Sequence, residues 1–397
     1  MFNFRQYDWK KYNYVLLINM VILGICSAYF VKFAAAQTMG IERSGGYFKK
    51  QILCLIMGLC ITVVVSLMDY KRLCDFSIIY YVISTLLVLA TKLPVIGTDA
   101  GTDSYRWIKI PGTSFTFQSS EICKVVLIIA LALFFTKRQE EINSPKTIFQ
   151  SILIFMVPTS IILTQSDLSS SLVIFFIFAI MIFGAGLSYR IVVPVIAVMI
   201  PLVIGGLWFI QQPIAKTIIP EDHLYQAQRV VAFLHPEDET YANKDNYQQL
   251  HSISSIASGE LTGKLLSDEA SSDRNYVYVD VCESDFIFSV IGEEVGFVGC
   301  ALIIALLCVI VFLCVRTAKR CNDTMGYLIA LGISAMLMFQ IFTNIGVAAM
   351  ILPNTGLPLP FLSSGISSMI ACAIEVGLVL NIGMQSGTGD RSGISFL

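Results

Sequence analysis

Apolar stretches of roughly membrane-spanning length recur along almost the whole chain, separated by short polar segments. They cover residues 14–36, 51–68, 76–93, 121–136, 148–164, 169–187, 191–210, 286–315, 325–350 and 366–382. An α-helix rises about 1.5 Å per residue, so roughly 20 apolar residues cross a hydrocarbon core about 30 Å thick. Lipid offers no partner to backbone N–H and C=O groups, so runs of this length and composition must satisfy them internally as helix. The pattern predicts an all-α, polytopic membrane protein of about ten transmembrane helices. One polar interval is far longer than the others: residues 211–284 form a large loop between the seventh and eighth spans, within a single transmembrane domain covering residues 1–397.

Composition agrees with this pattern and closes off other classes. Of the residues, 56% are hydrophobic and only 14% charged, and the net charge of −2 gives no electrostatic footprint for nucleic acid. Most of the eleven cysteines fall in apolar spans, where a thiol acts as a small hydrophobe, and no CxxC pair or disulfide framework is present. His223, His235 and His251 share the large loop without metal-ligand spacing. Ala34-Ala35-Ala36 faintly suggests a signal-peptide cleavage site, but the preceding run is long and Lys32 interrupts it, which favours an uncleaved first helix.

Basic residues set the orientation, because short cytoplasmic loops hold an excess of Lys and Arg. With the N-terminus in the cytoplasm, that side collects Lys10, Lys11, Lys71, Arg72, Lys137, Arg138, Arg190, Arg316, Lys319 and Arg320 among others. The short loops opposite hold only Arg43, Lys49, Lys50, Lys92, Arg106 and Lys109. Both termini are therefore expected in the cytoplasm and the 211–284 loop outside.

Ionisable side chains are costly at bilayer depth, so those inside or bordering the spans are functional candidates, with packing or snorkelling as the plainer role. Lys32, Glu121, Lys124, Asp167, Glu293, Glu294 and Glu375 form this set. Glu121 and Lys124 stand three apart at the start of the fourth span and can pair, either as a structural ion pair or as part of a site. Arg106 and Lys109 lie just upstream and, with Lys124, form a basic group suited to a phosphate. Asp167 sits in a very short turn, Gln165-Ser166-Asp167-Leu168, where a helix cap is the alternative role. Asp285 is carried off the acidic loop straight into Phe286-Ile287-Phe288, with Glu283 close by. Partial desolvation and a neighbouring like charge both raise a carboxyl pKa, which suits a proton acceptor; an N-cap of the following helix is the competing role. Residues 353–360, with three prolines, cannot continue a helix and must form a re-entrant or surface loop before Ser363.

At these residues the chain resembles the SEDS family of polytopic cell-wall proteins, typified by RodA, FtsW and SpoVE. The likeness runs from about Tyr14 to about Gly383 and rests on separated motifs. These are Ser284-Asp285-Phe286-Ile287-Phe288 through Ile291-Gly292-Glu293-Glu294, and Asn344-Ile345-Gly346 with Thr355-Gly356-Leu357-Pro358-Leu359-Pro360-Phe361-Leu362-Ser363. Arg106-Trp107-Ile108 with Glu121 and Lys124, and Gln165 with Asp167-Leu168, complete the set. The family pattern is altered nearby: Asp280-Val281-Cys282-Glu283-Ser284 replaces a Pro-Glu-x-His-Thr segment, Ala257, Glu260 and Leu265 stand where glycines are usual, so that a backbone conformation only glycine accepts is not expected at Glu260, and Ser169 replaces a glycine.

The resemblance implies a ten-helix bundle in the cytoplasmic membrane of a bacterium, polymerising lipid II into glycan beside a class B penicillin-binding protein. It implies Asp285 as catalytic base, or as ligand of a divalent cation (Mg or Mn). Arg106, Lys109 and Lys124 are then expected at the pyrophosphate, with Glu121 holding Lys124, and Asp167 and Ser363 lining the substrate groove. Two rivals remain. A lipid-linked precursor transporter is favoured by intramembrane charges such as Lys124 and Glu375, and a non-catalytic family member that scaffolds a synthase by the changes around Glu260 and Cys282.

Overall fold

The computed structural model describes residues 7–39, 41–93, 97–98, 105–109, 116–212, 214–218, 221–235, 246–266 and 276–385. The chain forms α1 (Tyr14–Met39), α2 (Ile41–Leu67), α3 (Ser77–Ala90), α4 (Ser119–Lys137), α5 (Pro145–Leu163), α6 (Leu168–Gly184) and α7 (Tyr189–Ile210). The large loop contributes α8 (Glu221–Leu234) and α9 (Tyr247–Ser258), and α10 (Ile287–Arg320), α11 (Thr324–Ala348) and α12 (Ile366–Gln385) complete the chain. Eight of these helices are long and apolar enough to cross a membrane, and α3 and α6 are shorter apolar helices. Together they coincide, run for run, with the ten apolar stretches of the sequence, so this is a multi-pass membrane protein.

Local chemistry sets several helix starts. Ser144 caps α5 by accepting from the Thr147 N–H, and Pro145 fills the first helical position, where no N–H is needed. Asp323 caps α11 through the Gly326 N–H. Between α3 and α4 the sequence reading expected only loop. Here β1 (Gly97–Thr98), β2 (Trp107–Lys109) and β3 (Thr116–Gln118) pair antiparallel in the order β1-β2-β3. The strands are too short to leave a periodic signal, and they hold Arg106 and Lys109 beside the start of α4.

In the bundle, α1 packs on α2 and α10, α2 on α12, α11 on α10, α4 and α6, and α3 on α4. Ala34 and Ala35 are fully buried in α1. No residue of α7 is buried. Val193, Ile200, Leu202 and Trp208 all stay exposed there, an arrangement lipid tolerates because its tails are as apolar as these side chains.

The large loop is joined to α10 by backbone. Gly296 (φ 62°, ψ −165°) breaks α10 into segments 287–295 and 297–320. The N–H groups freed beyond the break donate to loop carbonyls, Phe297 to Glu260 at 2.9 Å and Val298 to Leu261 at 3.1 Å. This meets the requirement that broken helices at membrane depth be re-satisfied by protein. Close approach depends on Gly259, where a Cβ would lie 1.9 Å from the Gly292 carbonyl oxygen. Glu260 corrects one sequence expectation. Replacing a glycine by Glu was expected to rule out a glycine-type conformation, yet Glu260 adopts φ 47°, held by the hydrogen bond its carbonyl accepts from Phe297.

Glu293, fully buried on the first segment of α10, reinforces the junction. Its Oε1 accepts from Lys264 Nζ at 2.5 Å, the Val277 N–H at 2.8 Å and Ser258 Oγ at 3.1 Å, and its Oε2 from Ser255 Oγ at 3.0 Å. A buried carboxylate with this many donors is compensated for its lost water.

Candidate active site

Asp285 lies in the turn of residues 280–286 that brings the large loop into α10. The helix begins at Ile287 with Phe286 in the cap position and no side-chain cap bond, so Asp285 is not the N-cap. Its carboxylate does not cap the helix. The Asp285 carbonyl oxygen accepts from Asn344 Nδ2 at 2.8 Å, and the same amide donates to the Leu357 carbonyl at 2.7 Å. One α11 side chain therefore fixes both the acid's backbone and the 353–360 loop facing it. Gly356 (φ 69°) permits the contact: a Cβ there would sit 3.2 Å from Asp285 Oδ2. Ser363 closes the other side, donating from Oγ to the Ser284 carbonyl at 2.5 Å and accepting from the Leu359 N–H at 2.7 Å.

Burial raises the Asp285 pKa from the ordinary carboxylate range. The Ser284 hydrogen bond and the charges of Arg229 and Arg106 oppose that rise, and Glu283 adds to it. The two arginines come from different places, Arg106 from the start of β2 and Arg229 from α8 in the large loop. Sequence reasoning placed Arg106 in the site and passed over Arg229 as one more loop charge. Its only signal was helical spacing in an otherwise acidic segment.

The remaining expected residues divide. Lys109 is exposed at the end of β2. Lys124 is fully enclosed, its Nζ 2.7 Å from Glu121 Oε1. Lys124 is thus enclosed while Lys109 is exposed, and the charges that reach Asp285 include those of Arg106 and Arg229. Glu121 does hold Lys124. Glu375 of α12 lies within electrostatic reach of that pair, and its two carboxyl oxygens have no hydrogen-bond partner among the described residues. Asp167 is the N-cap of α6, accepting from the Ser170 N–H at 3.0 Å, while its Oδ2 is buried without such a partner. The neighbouring Ser169 hydroxyl donates to the Thr355 carbonyl, tying this turn to the loop opposite Asp285.

Two further features mark the region. Buried acceptors without a hydrogen-bond partner among the described residues include Asp167 Oδ2, Glu283 Oε2, Asn344 Oδ1, Asn354 Oδ1 and Thr355 Oγ1, all on segments that meet around Asp285. Buried polar atoms left this way call for water or a ligand. In addition, the non-glycine residues with positive φ among the described residues are Ser166, Glu260, Val281, Met350 and Phe361. They fall in the turns and loops at this same end of the bundle, and unfavourable backbone of this kind gathers at functional sites. Cys282, which stands in the altered family segment, is buried, and burial with Glu283 beside it pushes its thiol up to about 12, away from the reactive thiolate.

Among the described residues no three His, Cys, Asp or Glu side chains converge. Asp285 and Glu283 are the carboxylates that would hold a divalent cation. Mg²⁺ commonly takes one or two carboxylates and completes its shell with substrate phosphate and water, so this donor set fits such an ion only together with substrate.

Comparison with known proteins places these features in a family. The FtsW/RodA/SpoVE cell cycle protein model matches residues 11–388. A probable peptidoglycan glycosyltransferase FtsW of Geobacter metallireducens is 30% identical over 378 residues, covering 94% of this chain and 95% of that protein. The peptidoglycan glycosyltransferase MrdB of Escherichia coli K12 is 29% identical over 381 residues, covering 94% of each. Among solved structures, a chain from work on the coordination of polymerization and crosslinking by a peptidoglycan synthase complex is similar at a TM-score of 0.75. It is 26% identical, with 96% of this chain and 99% of that one covered. With its apolar runs, its Asp285 turn and its 353–363 loop all inside the matched span, the chain belongs to the FtsW/RodA/SpoVE family, also called SEDS.

Proposed function

We propose that this chain is a peptidoglycan glycosyltransferase that polymerises lipid II, with Asp285 as general base. The observation that carries the proposal is a half-buried carboxyl, faced by Gly356 of the 353–360 loop and within electrostatic reach of Arg106 and Arg229, where the large loop enters a membrane helix. In the reaction, the 4-hydroxyl oxygen of an acceptor GlcNAc bonds to the anomeric carbon of a MurNAc. The bond from that carbon to the polyprenyl pyrophosphate breaks with inversion, and the hydroxyl proton passes to Asp285. Arg106 and Arg229 stabilise the negative charge that grows on the departing pyrophosphate. A divalent cation, when bound by Asp285 and Glu283 with substrate phosphate, would supply further neutralisation of that leaving group. Asn344, Gly356 and Ser363 hold the carboxylate in place, and such positioning is a large part of any rate advantage. We place the site on the extracytoplasmic side, with both termini in the cytoplasm, and take a class B penicillin-binding protein as the partner that crosslinks the product.

Labelled lipid II assayed with wild type, Asp285→Asn and Asp285→Ala, with the transpeptidase partner, with and without divalent ions, tests this. Wild type should make glycan and both variants should lose it. Loss of glycan synthesis by wild type on chelation, with recovery on added Mg²⁺, would show that the reaction needs a divalent ion as well as the carboxylate. No glycan from wild type, beside an active family member run in parallel, would leave the scaffold role; synthesis by Asp285→Ala at the wild-type rate would exclude Asp285 as base.

A further inference from the structure

Residues 246–266 and 276–283 present a group of side chains that the chemistry at Asp285 does not use. The buried face of α9 is polar and closely tied: Ser252 Oγ donates to the Ala348 carbonyl at 2.8 Å, and Gln249 Nε2 to the Val347 and Leu352 carbonyls at 3.0 and 2.9 Å. This fixes the opposite face, where Tyr247 and His251, one turn apart, stack with ring centroids 4.0 Å apart at 37°. His251 Nδ1 donates to the Tyr278 carbonyl oxygen at 2.9 Å. This hydrogen bond joins the segment of Tyr278 to the helix that carries the ring pair. Tyr247 is 39% and Tyr278 48% exposed. Both rings are therefore partly accessible, and the hydrogen bond from His251 fixes the backbone that carries Tyr278.

The surface adjoins the site. Tyr278 lies within electrostatic reach of Tyr247, Asp280 and Glu283, and Glu283 also acts on Asp285. On the far side, Gln248 of α9 accepts from Asn354 Nδ2 at 2.9 Å, linking the helix to the loop that faces the same carboxylate. Exposed ring faces bordered by carboxylates fit one ligand chemistry well. A pyranose offers a C–H face that packs on an aromatic ring and a rim of hydroxyls that donate to carboxylates. A protein anchor would instead seek an apolar pocket stripped of water.

We infer that Tyr247, His251 and Tyr278 form a saccharide-binding platform that holds the β-1,4-linked N-acetylhexosamine strand next to Asp285. The inference builds on the polymerase reading above and adds a subsite to it: the strand rests on the platform between additions, so each encounter yields several couplings.

The probe is chitohexaose, a β-1,4-linked N-acetylglucosamine hexamer, titrated by saturation-transfer NMR against the full chain purified in detergent, with thermal stability as folding control. Wild type and Asp285→Asn should bind alike. Tyr247→Ala and Tyr278→Ala should each weaken binding about tenfold, equivalent to about 1.4 kcal/mol, and Tyr247→Phe should bind as wild type does. In lipid II reactions the two Ala variants should initiate normally and release shorter glycan. No hexamer binding by wild type, or equal binding by folded Ala variants, overturns the platform. So does normal hexamer binding by Ala variants that no longer co-purify with the transpeptidase, which would mark a protein-docking face. Platform-dependent hexamer binding by a wild type that makes no glycan would overturn the polymerase reading and leave the platform standing.

Discussion

The Asp285 carboxyl is held under opposing influences, and each gives a measurable sign. Its folded pKa lies above the unfolded value of about 3.9, because burial outweighs Ser284, Arg229 and Arg106. The folded state therefore binds more protons than the unfolded chain between those two values. Stability from this group falls as pH rises through that window and stays lowered above it. Asp285→Asn is expected to be more thermally stable than wild type at neutral pH and no more stable at acid pH, as fluorescence-detected melting in detergent would show. Arg229→Ala removes a charge that favours the ionised carboxylate, so the acid limb of the kcat profile should move to higher pH. The rate should also fall by roughly 10²–10³, the usual cost of losing one preorganised stabiliser, while Arg229→Lys should keep the limb near its wild-type position. Asp285 could be singled out from sequence because an acid meets an apolar run there. Arg229 could not: it stands far away along the chain and reaches the site only through the folding of the large loop.

Among the elements, the turn after α9 decides how the loop and α10 meet. Glu260 occupies the left-handed region, where a side chain costs about 1–2 kcal/mol. A glycine there recovers that cost and gives back part of it as unfolded-state entropy. Glu260→Gly is therefore expected to stabilise the protein by about 1 kcal/mol, read as an upward shift in melting temperature without change in oligosaccharide binding. Gly259→Ala should do the reverse, because its Cβ would force α9 away from the Gly292 carbonyl. The expected loss is about 1–3 kcal/mol. These positions show where sequence reasoning weakened. Whole helices were readable because lipid demands long apolar runs. The break at Gly296 was not, because the residues that close it lie on a loop whose polar composition looks like solvated surface.

For the whole molecule, the ten spans differ in how they meet their surroundings. Most bury a face against neighbours, whereas α7 has no buried residue. Trp208, 65% exposed near the end of α7, reports on this. In a Trp9→Phe, Trp107→Phe background, brominated phospholipid should quench its fluorescence strongly; weak quenching would mean that another protein surface shields it. The span count and the family were legible from the chain alone, since hydropathy and motif spacing survive without knowledge of contacts. The enclosure of Lys124 was not, because a lysine three residues from a glutamate near a membrane surface reads equally well as exposed.

The hydrogen bonds from Phe297 and Val298 to Glu260 and Leu261 make the large loop a working part of the membrane helix. A swap of loops between relatives that cuts inside residues 259–263 would strand two amide protons at the helix break. Grafts should keep that turn with its own α10 and exchange only what lies beyond it. Proteolytic cleavage there should loosen α10 as well as the loop, so the segment that looks most dispensable from outside is mechanically continuous with the span beneath it.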